Sequence, residues 1–229
     1  MNLSMSQTSV VTTDSISQAA SWVQAGRLLA YPTESVWGIG CDPFNEGSVQ
    51  QLLAIKQRPA EKGMIVVTDS VERIAPLLTT LTDSQRRAVL DSWNTLTPTT
   101  AKQAHTWLLP LSSPSSLTSP SSSLSNPSNQ PTIPTWITGR HNSVAVRVIA
   151  HPLIQQLCAN LVSAQNPFGL LVSTSCNPSG QTPALTLAQA QAYFATRMDA
   201  DQVTYLSGDT LGYQLPSQIH DALTGQLIR

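Results

Sequence analysis

Residues 52–67 read LLAIKQRPAEKGMIVV, and they change structural character midway. Val49, Leu52 and Leu53, with Lys56 beside them, fall on one face of a helix with a period of 3.6 residues. Pro59 keeps Arg58 out of the α region, so the helix is predicted to end there. Past Gly63, the run Met64–Thr68 is apolar and β-branched, as in a buried strand. A helix that hands over through a proline turn to a buried strand points to an α/β layer architecture. The same turn gathers Lys56, Arg58 and Lys62 in a chain with only 12 Lys and Arg. Cations at a helix C-terminus complement its dipole. Cations two apart in extended chain also share a face and can meet one anion. The spacing leaves both readings open.

Outward from this turn, short strands and helices alternate. Asp14 is the expected N-cap of a helix through SISQAASWVQA, which Gly26 stops. RLLAY is a strand ended by Pro32, and VWGIGCDPF is a strand or loop lying close to other backbone. VERIAPLL and TDSQRRAVLDSW read as helices, the second capped by Thr82 or Asp83. TWLLPL, SVAVRVI, GLLVSTS and QVTYLSG read as strands. PLIQQLCANLV is a helix with Pro152 in its first turn, and TLAQAQAYFATRM is another. SQIHDALTGQLIR closes as a hairpin turning at Thr224-Gly225. The expectation is a single α/β domain over residues 14–229, built on a twisted open mixed sheet with flanking helices. Residues 1–13 are expected to be a disordered lead. A flexible Ser/Pro-rich insertion is expected at about 111–134, because ten of residues 112–128 are serine and nothing there can pack.

Composition narrows the function. Charged residues are 11% of the chain, the net charge is -1 and the pI is near 6.4, which argues against a protein that coats nucleic acid. Cys41, Cys158 and Cys176 are odd in number and widely spaced, the pattern of reduced thiols in a cytoplasmic protein. The N-terminus lacks signal-peptide character, and no apolar run approaches the roughly 18 residues of a membrane span. There is no GxxxxGK[ST], and Gly38-Ile39-Gly40 continues as Cys-Asp-Pro, so the phosphate-loop motifs are excluded. The four histidines show no metal-ligand spacing, and no protein-built metal site is expected.

Three further stretches offer polar groups at strand ends. In VSTSCNPSG (172–180), small hydroxyls and an amide follow a buried strand and suit an oxygen-rich ligand; a self-satisfied turn is the alternative. Arg147 interrupts the apolar strand SVAVRVI. A guanidinium there needs a carboxylate or phosphate, unless the strand is a solvated edge. YPTES (31–35) brings a hydroxyl and a carboxylate to a strand terminus, and Glu34 alone reads as an ordinary loop carboxylate.

Taken in order, AYPTESVWGIGCDP, LLAIKQRPAEKGMIVV, WITGRHNSVAVRV, LLVSTSCNPSG and PSQIHDALTGQLIR resemble the YrdC/TsaC family of threonylcarbamoyl-AMP synthases, in its short single-domain form. The resemblance spans about Gly26 to Arg229. It implies a twisted sheet around a concave basic cleft. It implies condensation of L-threonine, bicarbonate and ATP to threonylcarbamoyl-AMP and pyrophosphate, with Mg²⁺ carried by the nucleotide phosphates, for the t6A modification of tRNA. Thr33, Arg147, Ser173 and Ser217 would contact threonine. Lys56, Arg58, Ser143 and Ser175 would contact ATP, with Asn177 shaping that pocket; Lys56 and Arg58 would be catalytic through charge neutralisation. Cys176 needs no nucleophilic role. The implied partners are a threonylcarbamoyl-transferring complex of the TsaD, TsaB and TsaE type, with weak tRNA binding. A departure falls at the family's Pro-Gly-Pro-x-Thr segment: the glycine is missing, and Thr100 or Thr106 stands for its threonine. The competing reading of the cationic cluster is a non-catalytic double-stranded RNA or tRNA-binding module, whose affinity would fall steeply with salt.

Overall fold

A computed structural model describes residues 10–94, 103–111, 132–194 and 202–229. Nine strands form one sheet: β1 (Val11–Thr13), β2 (Leu28–Pro32), β3 (Trp37–Gly40), β4 (Ile65–Thr68), β5 (His105–Pro110), β6 (Ser143–Val148), β7 (Leu171–Ser175), β8 (Val203–Leu206) and β9 (Gln218–Asp221). Their order is β1-β8-β2-β3-β7-β4-β6-β5-β9, with parallel and antiparallel neighbours mixed. Seven helices accompany them among the described residues: α1 (Ile16–Gln24), α2 (Glu46–Lys56), α3 (Val71–Ile74), α4 (Asp83–Trp93), α5 (Thr135–Thr138), α6 (Pro152–Asn160) and α7 (Leu187–Phe194).

The strand patterns explain the layering. β2, LLAYP, is buried throughout, because Leu28 and Ala30 enter one apolar cluster while Leu29 and Tyr31 enter another on the opposite face. That second face is covered by α1 and α6, which pack on Tyr31, Val67, Leu171 and Leu206. The first face carries the larger cluster, with Leu52 and Leu53 of α2 and Val89 of α4. On β6, Val144 and Val146 point into that larger cluster, so Ser143, Ala145 and Arg147 project to the side of α1 and α6. Those two helices cover only part of their face; the remainder is a cleft.

Local signals decide the element ends. Ser15, not the expected Asp14, caps α1, with extended dihedrals and its hydroxyl accepting from the Gln18 N–H of the first turn. Thr82 caps α4 in a full capping box with Gln85. VERIAPLL divides into α3 and a 3-10 turn, Ala75–Leu78, at Pro76. The disordered lead expected through residue 13 is too long at its C-terminal end. Val11–Thr13 pair in parallel with Thr204–Leu206, their ladder bonds supplied by a strand far along the chain. The Ser/Pro-rich stretch 112–131 and Thr100 lie outside the described residues.

The opening stretch folds as helix, turn and strand. α2 ends at Lys56 and Gln57 takes left-handed dihedrals, φ 49° and ψ 42°. The Arg58 N–H donates to Leu53 O and the Gln57 N–H to Ala54 O, at 3.0 and 3.1 Å, which is the Schellman closure that most helices complete with glycine. Gln57→Gly is therefore expected to stabilise the chain by about 1 kcal/mol. That corresponds to roughly 2–4 °C in Tm, readable by thermal unfolding.

Candidate active-site cleft

The cleft encloses about 1190 Å³. Lys56, Arg58, Lys62, Arg147 and Arg229 line it, five of the chain's 12 Lys and Arg, and no Asp or Glu among the described residues is on the lining. A concave wall with cations and no carboxylate focuses positive potential on its contents. The expected basic cleft is thus present in a chain whose net charge is -1.

Each wall follows from an element already described. β6 contributes Ser143, Ala145 and Arg147, and β4 contributes Ile65. The end of β7 contributes Ser173, Thr174 and Ser175, and the turn after β2 contributes Thr33 and Ser35. A loop from Thr210 to Ser217 forms the rim, tied down where Leu211 N–H donates to Thr33 O and Tyr213 N–H to Glu34 O, at 3.2 and 2.9 Å. The cleft therefore brings together Thr33, Lys56, Arg58, Ser143, Arg147, Ser173, Ser175 and Ser217. Of the anticipated site residues, Asn177 alone is absent from the lining. Its amide donates to Pro178 O and Gln181 O, at 3.0 and 2.6 Å, so it builds the loop behind the wall.

Lys56 sits deeper than a helix-end cation. It is 8% exposed, and its ammonium donates to Ser175 O at 2.6 Å, to Asn177 O and to Asn177 Oδ1 at 3.3 Å. It clamps α2 to the end of β7. Burial, with Arg58 adding repulsion, pushes its pKa down to about 8. Arg58 is half-buried and donates through Nε and Nη2 to Gly63 O. Burial and the Arg229 charge both lower its pKa. Arg58 and Arg229 are thus close enough to repel, a pairing that an anion between them would relieve.

Arg147 lies on an interior strand, between β4 and β5, so it is not on a solvated edge. Its Nη1 stands 3.6 Å from Glu34 Oε2. Glu34 is 1% exposed, which corrects its reading as an ordinary loop carboxylate: a guanidinium from another strand meets it in the interior. The Thr33 hydroxyl donates to Val36 O at 2.6 Å, closing the turn. Thr106 is fully buried, with its hydroxyl unpartnered among the described residues. Cys176 is buried and its thiol pKa is raised to about 12 by burial, which leaves almost no thiolate near neutrality.

Glycines set the floor. Gly38 and Gly40 lie under the ring of Tyr31, whose hydroxyl donates to Val172 O at 3.0 Å. A Cβ on Gly40 would stand 1.6 Å from that same carbonyl oxygen. The failed phosphate motif is therefore a close-packing device between β3 and β7, as its position near other backbone suggested.

Arg229 and the rim residues 210–215 were not singled out from the sequence, and Glu34 was read only as a loop carboxylate. Glu34 carried a usable signal in its place beside Thr33, and Arg229 in its place in the closing motif.

With this geometry, sequence comparison is decisive: residues 21–229 match the profile of the Sua5/YciO/YrdC family, described as telomere recombination, and the chain belongs to that family. A Psychrobacter arcticus protein named threonylcarbamoyl-AMP synthase is 61% identical over 229 residues, covering 98% of this chain and 100% of that relative. An Acinetobacter baylyi protein of the same name is 44% identical over 220 residues, covering 96% and 99%. The structure of P. abyssi Sua5 complexed with L-threonine shares the fold, with a TM-score of 0.66 at 22% identity, over 93% of this chain and 54% of that one. No helix among the described residues is long and apolar enough to cross a membrane.

Proposed function

We propose that this chain is an L-threonylcarbamoyladenylate synthase that condenses L-threonine, bicarbonate and ATP to threonylcarbamoyl-AMP and pyrophosphate. One observation carries the reading: a cleft with no Asp or Glu on its described lining gathers a buried guanidinium, Arg147, with Lys56 and Arg58. Relatives named for this reaction, and a threonine-bound structure of the same fold, support it. A non-catalytic RNA-binding module has no such relative behind it.

Arg147 receives the threonine carboxylate in a two-pronged contact that a guanidinium makes and an ammonium cannot. Thr33, Ser173 and Ser217 supply hydroxyls around the amino acid. The threonine nitrogen attacks bicarbonate and water leaves, giving a carbamate. A carbamate oxygen then bonds to the α-phosphorus as the bond to pyrophosphate breaks. Nucleophile and leaving group are both anionic, so positioning and charge neutralisation provide the catalysis. Lys56 and Arg58 supply the neutralising field, with Ser143 and Ser175 orienting the nucleotide and Asn177 holding the wall. Mg²⁺ would neutralise phosphate charge. With no Asp or Glu side chain on the lining and no cluster of three ligand-type side chains, both among the described residues, the phosphates rather than the protein would hold it. The product would pass to a threonylcarbamoyl-transferring complex acting on tRNA in the cytoplasm.

The test is pyrophosphate release with ATP, Mg²⁺ and bicarbonate, with and without threonine. Threonine-dependent release is expected; release indifferent to threonine sinks the reading. Arg147→Lys is expected to raise KM for threonine about 30-fold while KM for ATP changes less than twofold, since one charged fork contact is worth about 2 kcal/mol.

A further inference from the structure

We propose that Glu34 is a positioning residue for the amino-acid subsite: it fixes the Arg147 guanidinium toward the cleft and governs threonine affinity without touching threonine. The inference rests on the assignment of Arg147 to the threonine carboxylate.

Glu34 is held from two directions. Its Oε1 accepts from the Ala150 N–H at 3.0 Å, just beyond the end of β6. Its main-chain carbonyl accepts from the Tyr213 N–H on the cleft rim. The remaining oxygen, Oε2, faces Arg147 Nη1 at 3.6 Å, beyond hydrogen-bond length. Glu34 Oε2 and Arg147 Nε are both buried without a hydrogen-bond partner among the described residues. A side chain with five donors is thus buried against a single carboxylate that it approaches without bonding, while it lines the cleft.

A buried guanidinium without an opposing charge is unfavourable enough to swing away or lose its place. Glu34 cancels that charge from behind. Because no hydrogen bond consumes the fork, the guanidinium keeps its donors for an incoming carboxylate. A tight bidentate pair would occupy them instead. Glu34 also joins the rim to β6, so the carboxylate that aims Arg147 is attached to the Thr210–Ser217 loop that lines the cleft. The chemical class served is an α-carboxylate.

The experiment compares Glu34→Gln with the parent chain in steady-state pyrophosphate release, varying threonine and ATP separately. Glutamine keeps the acceptor for Ala150 N–H and removes the charge behind Arg147. The expected result is KM for threonine raised about tenfold, with KM for ATP within twofold and Tm within a few degrees. Glu34→Asp, which retains the charge, is expected to recover part of the loss. In an Arg147→Lys background Glu34→Gln should add less than twofold. If Arg147→Lys raises KM for threonine and Glu34→Gln does not, the positioning role is overturned while the assignment of Arg147 stands. If neither change alters KM for threonine, the assignment of Arg147 is overturned and this role with it. If Glu34→Gln lowers Tm sharply and raises both KM values together, Glu34 is a structural contact only and the proposal is overturned. Should Glu34→Gln not fold, the threonine-induced rise in Tm of Glu34→Asp supplies the readout: a rise as large as the parent's overturns the proposal.

Discussion

Gly40→Ala is expected to cost the chain about 3 kcal/mol or more, lowering Tm by roughly 6–12 °C, or to prevent accumulation of folded protein. The added Cβ would stand 1.6 Å from Val172 O and 3.3 Å from the Tyr31 hydroxyl. No flexible side chain can yield at the first contact, because the obstructing atom is backbone. β3 and β7 would have to separate, straining the pairs Gly38↔Ser175 and Ile39↔Thr174 and the flanking bonds from Cys176 N–H to Trp37 O and from Val172 N–H to Cys41 O, at 2.8 and 3.0 Å. The Tyr31 hydroxyl would lose its acceptor, and Ser173 and Ser175 would move with β7. Thermal unfolding measures the loss. A variant with unchanged Tm would show that the β3–β7 contact is looser than described.

Lys56→Ala is expected to lower turnover at least 100-fold and also to lower stability by about 2–4 kcal/mol. A cation serving only a helix dipole would contribute about 0.3–1 kcal/mol. Here the change removes the donor to Ser175 O, Asn177 O and Asn177 Oδ1, leaving buried acceptors unpartnered at the end of a cleft strand. Arg58→Ala, at a half-buried position, should lower turnover with little change in Tm. Lys56 also has a pH signature. Its folded pKa of about 8 lies below its ordinary value of 10.5. Between those values the unfolded chain holds more protons at this site, so its contribution to stability rises with pH across that window. Below about pH 8 the full cost of burying the charge is present. The parent chain should gain stability relative to Lys56→Ala between pH 8 and pH 10. A parallel pH dependence in the two chains would mean that Lys56 titrates normally.

The sequence made the core layers legible because period and polarity agreed. Val144, Val146 and Val148 alternate with Ser143, Ala145 and Arg147, and that alternation alone separates the core side of β6 from its cleft side. Pro59 marked the end of α2, and the small hydroxyls of 173–175 marked a strand end that lines the cleft. Other features depend on partners that no local pattern announces. Glu34 looks like a surface carboxylate until β6 brings Arg147 against it. Val11–Thr13 is a strand only because β8 offers an edge to pair with. Gln57 adopts a left-handed cap that composition would assign to glycine. Asn177 was expected to shape the nucleotide pocket, and its amide donates within its own turn, to Pro178 O and Gln181 O.

The strand order has a consequence for synthesis. β1 pairs with β8, β3 with β7, and β5 with β9, so ribbons from the first half of the chain wait for partners from the second. At ribosomal rates of about 5–20 residues per second, β1 and β2 wait on the order of ten seconds or more for β8. During that interval LLAYP, buried on both faces in the finished sheet, has β3 along one edge but lacks β8 along the other and the cover of α6. Such non-local pairing slows folding and prolongs the exposure of sticky segments. The cleft, which draws its lining from Thr33 through Arg229, comes into being only once β9 and the residues after it have been made.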